Sequence, residues 1–161
     1  MDFQERLQKA VQRGHNQRDK KAHEARKKAM SEDEFKSLHS GYRLQLSDHI
    51  ENCLQQLPYQ FPGFQFETIF GEKGWGAACY RDDIGPGGGG KRGNFYSRIE
   101  VTIRPFSEYH VLNLTSKATI RNKELFNRNY FEELMDADPE KFVELIDVWV
   151  LEYAEQYSAR T

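Results

Sequence analysis

The chain is poor in cysteine and in long apolar runs, with two cysteines in 161 residues and no stretch near the roughly 20 apolar residues that a membrane helix needs. Cys53 and Cys79 fall in segments that read as different elements, so no disulfide framework is expected and both thiols should be reduced. The first residues, MDFQERLQKA, are charged at once and offer no apolar leader core, which makes a cytoplasmic protein the expectation. Net charge is also lacking, since 23 basic residues face 25 acidic ones. No internal repeat is visible, and the only biased tract is the glycine-rich GPGGGGKRG at 85–93. What the chain does have is aromatic mass: 11 Phe and 8 Tyr supply large side chains for a core, and a chain of this length buries roughly 68–70% of its unfolded surface without staples.

The near-zero charge is a sum of unlike parts. Residues 1–30 hold nine basic and four acidic side chains, net plus five, whereas 124–161 hold three and ten, net minus seven. The middle blocks are minus three over 31–60 and plus three over 61–123. Opposite charge at the two ends favours attraction within a subunit or between two copies.

Residues 1–30 read as a basic helical or flexible arm, with Phe3, Leu7, Ala10 and Val11 as a short apolar stripe over a helix at 2–13. The remainder is too polar to offset its own ordering entropy. Ser31 with Glu34, and Met30 with Phe35, form a capping box with a hydrophobic staple. Apolar residues then recur every three to four positions to Leu57, predicting a helix over 31–57 stopped by Pro58. Alternation at 64–70, 75–81 and 95–104 predicts strands, with a fourth at 109–115 and Lys117–Arg121 as its continuation or a short fifth. Asn122–Met135 reads as a short helix. Asp138-Pro139-Glu140 is an N-cap followed by proline at the first helical position, opening a C-terminal helix whose apolar face is wide. The fold expected is α+β, a four- to five-stranded antiparallel meander covered on one face by a long N-terminal helix and a C-terminal helix. Residues 31–161 would form that single domain, with 1–30 leading in.

Five features invite chemistry, each with a plainer reading. The glycine tract beside Lys91 and Arg92 offers backbone N–H groups to an anion, but no helix follows it and no Gly-Lys-Ser/Thr ending is present, so a long hairpin connection is the plainer reading. Asp82, Asp83 and Glu100 lack the lysine that a metal-dependent nuclease strand would carry, and capping a turn suffices for the two aspartates. His49 and Cys53, four residues apart on one helix face, could share a metal ion, but two ligands do not make a zinc site and Cys53 is more simply a small core residue; no metal or cofactor is therefore assigned. Tyr80, Arg98, Glu100 and Arg104 fall on a polar strand face suited to an acidic ligand or a partner, or simply to water. Arg18, Lys20, Lys21, Arg26, Lys27 and Lys28 could follow nucleic-acid phosphates, yet no base-reading motif accompanies them, and the arm's apolar face is too small for a membrane surface.

The leading expectation is a non-enzymatic interaction or scaffold protein that self-associates or binds another protein, using the arm and the wide helix face around Val143 and Val150. A small-molecule or anion-binding domain, with hydrolase chemistry on the polar sheet face and glycine-rich loop, is the alternative. Nucleic-acid binding through the arm is the third reading.

Overall fold

A computed structural model describes residues 2–86 and 92–161, with the side chains of Pro86 and Arg92 outside that description. The chain divides into two compact units, Met1–Phe35 and Lys36–Thr161. Within the first, α1 runs unbroken from Phe3 to Ala29, past residue 13, where the apolar stripe ends. Asp2 caps it by accepting the Glu5 N–H at 2.8 Å, and Arg26, Lys27 and Lys28 lie in its last turn, where cations complement the helix dipole. None of its described residues is buried.

Helix α2, Glu32–Leu54, starts on the expected cap: the Glu34 N–H donates to Ser31 Oγ at 3.2 Å and the Ser31 hydroxyl donates to Glu34 Oε1 at 3.3 Å. It ends three residues before Leu57, and Pro58, instead of acting as a terminator, sits in the first turn of the separate short helix α3, Leu57–Gln60. Proline lacks an N–H, which a first turn leaves unpaired in any case.

The larger unit is built on five antiparallel strands whose spatial order is their sequence order: β1 Gln65–Ile69, β2 Trp75–Pro86, β3 Arg92–Ile103, β4 Val111–Ile120 and β5 Lys123–Glu133. The meander is therefore five-stranded, and Lys117–Ile120 continues β4. Asn122–Met135 is not a helix. Arg121 and Asn122 both take positive φ, 47° and 71°, in a two-residue turn closed by the Ile120–Lys123 pair. Asn122 fixes that turn to β3, since its Oδ1 accepts the Tyr96 N–H and its Nδ2 donates to the Asn94 carbonyl, each at 2.8 Å. The strand alternation was hidden because two of its inward positions are charged. Arg128 forms an ion pair with Glu152, and Glu132 accepts both the Tyr130 hydroxyl and the Asp138 N–H.

The inward sheet face presents Ala77 and Cys79 from β2, Ile99, Val101 and Ile103 from β3, and Leu112, Leu114, Ala118 and Ile120 from β4, all buried. Over it lie Leu46, Ile50 and Leu54 of α2 and Phe142, Ile146, Trp149, Tyr153 and Tyr157 of α4, Pro139–Arg160. The cap of α4 is as expected, with Asp138 Oδ1 accepting the Glu140 N–H at 3.1 Å. Phe64 and Tyr157 meet edge-on at 4.9 Å, and the fully buried Tyr153 donates its hydroxyl to the Thr119 carbonyl at 2.9 Å. Inward serines are satisfied too: Ser116 donates to the Glu100 carbonyl, and Ser97 accepts the Arg121 N–H.

His39 of α2 is buried, with Nε2 3.1 Å from the Arg104 carbonyl oxygen and its ring edge-on to Phe106. Burial holds its pKa below the usual imidazole value; the Arg104 carbonyl opposes that shift and the Arg43 charge adds to it. An unfolded chain then takes up this proton more readily than the folded one, so stability should fall as pH drops below about 6.5 and level off beneath the folded-state pKa. Urea midpoints compared at about pH 7.5 and about pH 5.5 should move less in His39→Gln than in the wild type. Equal movement would remove His39 as the cause.

Candidate functional site

The outward sheet face brings three of the expected residues together. Arg98 pairs with Glu67 at 2.8 Å and reaches Glu100 at 3.7 Å, and its guanidinium lies 5.8 Å from the Tyr80 ring centre. Tyr80 in turn donates to Gln65 Oε1 at 3.2 Å. These groups therefore satisfy one another across β1, β2 and β3. Arg104 stands apart, just past the end of β3, donating to the Lys73 carbonyl at 3.2 Å. Asp83 is engaged as well, accepting from Arg81 Nε at 2.8 Å.

The glycine tract joins β2 to β3, so the hairpin connection expected at 85–93 is present in its flanks: Gly85 pairs with Gly93 and Pro86 with Arg92. Lys91 lies outside the described residues, as does the Arg92 side chain. At that end of the sheet, Arg121 stacks on Phe95 at 4.3 Å, and the two line a hollow of about 540 Å³ with Ile120, Lys123 and Arg160. This concentration of cations joins positions 121, 123 and 160, which no spacing rule connects.

The arm residues Arg18, Lys20, Lys21, Arg26, Lys27 and Lys28 all lie on α1. Phe3 is 75% exposed, Leu7 50% and Val11 51%, leaving the apolar stripe uncovered. On α4, Val150 is buried and belongs to the packed face, while Val143 is half-buried. The free apolar surface of this helix lies instead at Val148, 56% exposed, and Leu151, 67% exposed. Exposed Glu144 and Glu155 continue the same stripe at helical spacing on either side.

The densest chemistry lies where α2 meets α4. His49 and Cys53 project from one face of α2, and Asp147 of α4 completes the group: His49 Nε2 is 2.7 Å from Asp147 Oδ1, and Cys53 Sγ is 3.5 Å from His49 Nε2 and 3.4 Å from Asp147 Oδ1. All three side chains are half-buried. Cys53 and Asp147 also line a groove of about 320 Å³ with Gln56, Leu57, Gln60, Val150, Leu151 and Ala154. Sulfur and carboxylate approach the same ring nitrogen, whereas a nucleophilic relay needs them on opposite nitrogens. Burial, the hydrogen bond to Asp147 and that residue's charge push the Cys53 thiol up to about 12, so the group does not present a ready thiolate nucleophile. Sequence spacing pointed to His49 and Cys53 but not to Asp147, which lies 94 residues beyond Cys53 and reaches it through the packing of two helices. Among the described residues no helix is long and apolar enough to cross a membrane. No family model matches this chain, and comparison with curated proteins and with solved structures likewise gives no match.

Proposed function

We propose that this chain is a self-associating interaction protein in which α1 of one copy docks on the outward face of α4 of a second. The observation that carries the reading is the uncovered state of α1, 27 residues long with none of them buried and with Phe3, Leu7 and Val11 in a stripe bordered on one side by Arg6 and Arg13. Its complement in charge and pattern is the α4 stripe of Glu144, Val148, Leu151 and Glu155. The block that holds this stripe carries net minus seven, against plus five for the arm. Apolar residues in register with opposite charges are what two helices need to pair specifically, because the charges exclude wrong partners while the apolar area holds the right one. If each copy lends its arm to the other, the exchange closes as a two-fold dimer.

Light scattering on the full chain at tens of micromolar should show a dimer that dissociates as salt is raised. Leu151→Arg, which sets a cation against the arm at an exposed position, should yield a monomer with an unchanged far-UV spectrum. A strict monomer at low salt would overturn the reading. A salt-sensitive complex with nucleic acid in the absence of any dimer would assign the arm to that partner instead.

A further inference from the structure

We propose that His49, Cys53 and Asp147 form a binding site for a divalent cation of zinc's class. The proposal does not rest on self-association, since all three donors belong to one copy of the chain, within the unit Lys36–Thr161.

Three kinds of donor converge here, an imidazole nitrogen, a sulfur and a carboxylate oxygen, and the three donor atoms lie within 4.8 Å of one another. This mixed set suits zinc, which takes nitrogen, sulfur and oxygen ligands and sits between hard and soft. Magnesium and calcium demand oxygen throughout. The geometry is close to that of a bound site. Ligands about 2.0–2.3 Å from a tetrahedral zinc stand about 3.3–3.6 Å from each other. The sulfur lies 3.5 Å from the imidazole nitrogen and 3.4 Å from the carboxylate oxygen, so both separations already match. Only the 2.7 Å contact between His49 and Asp147 would open, by about 0.7 Å, as the ion replaces the hydrogen bond.

The helices explain why the donors meet. Positions 49 and 53 are one turn apart and face the same way, and α2 and α4 both rest on the inward sheet face, held by Leu46 and Ile50 on one side and Ile146 and Val150 on the other. The site is thus built on packed helices and not on loops, which fixes its geometry before an ion arrives. Three protein donors leave one tetrahedral position for water or a small ligand. The groove that begins at Cys53 and Asp147, lined by Leu57, Val150, Leu151 and Ala154 with Gln56 and Gln60, supplies room for it.

Cobalt(II) tests this, because it adopts zinc's geometry and a thiolate bound to it gives a charge-transfer band in the near ultraviolet. The full chain, stripped with a chelator and kept reduced by a phosphine, should bind one equivalent of Co²⁺ with that band, and Zn²⁺ should displace it. Cys53→Ser, nearly isosteric, should abolish the band while leaving the far-UV spectrum unchanged. His49→Gln and Asp147→Asn should each weaken binding by more than the about 10–100-fold that losing an outer-sphere partner costs. A titration of the wild type without the band at stoichiometric Co²⁺ would overturn the proposal, as would a band that survives Cys53→Ser, since the sulfur would then be Cys79.

Discussion

Gly76→Ala is expected to prevent folding, or to cost about 4 kcal/mol or more, a loss at the extreme of single substitutions. A Cβ at this position would stand 2.0 Å from the Val101 carbonyl oxygen and 2.9 Å from the Thr102 Cα. Both obstacles are backbone atoms of β3, the central strand, so relief requires β2 and β3 to part rather than one side chain to turn. Gly76 lies directly opposite Thr102 in that pairing. With total stabilities of about 5–15 kcal/mol typical of such domains, the variant should melt far below the wild type or be recovered only as aggregate. Gly41→Ala is the matched control. It lies within α2 with nothing within 4 Å of the added methyl, and removing glycine from an exposed helix should raise stability by up to about 1 kcal/mol. A Gly76→Ala midpoint within experimental error of the wild type would mean that β2 and β3 do not approach this closely.

Phe142→Ala should cost about 3–5 kcal/mol, as large-to-small changes of aromatics in cores do. Phe142 is fully buried in the first turns of α4 and meets the Tyr130 ring of β5 edge-on at 5.2 Å. That contact ties the last strand to the last helix beside the Arg128–Glu152 ion pair. Phe142→Leu, which keeps most of the apolar volume, should lose clearly less. Chemical denaturation of the three proteins checks the order wild type, Phe142→Leu, Phe142→Ala. Equal losses for the two variants would show that the ring's edge-on contact, and not the cavity, sets the cost.

These two sites also mark where the sequence could and could not be read. Period-two apolar positions such as Ile99, Val101 and Ile103 located β3 because every inward residue there is apolar or small. The same rule failed at β5, where Arg128 and Glu132 occupy inward positions and are acceptable only because Glu152, Tyr130 and Asp138 receive them. Local chemistry defined the caps at Ser31 and Asp138, since a cap is satisfied within three residues of itself. Pro58 misled because the same missing N–H that ends one helix begins another. For the cation site, the pair at 49 and 53 was legible from helical spacing. Asp147 was not, because its place beside them is fixed by how α4 lies on the sheet.

Because the strands stand in space in the order in which they occur in the chain, every strand pairing closes only the short connection between neighbours. Sheets assembled from distant segments must wait for long loops to close, whereas this one can zip hairpin by hairpin, with the Arg121–Asn122 turn already shaped for its final step. The slow contact is then the docking of α4, which bridges from Tyr153 back to Phe64. The sheet should therefore form early, and the part of its inward face that α4 covers should remain open until the C-terminal helix arrives. Folding in the faster part of the range for mixed α and β proteins is the expected result, with its rate-limiting step at the far end of the chain.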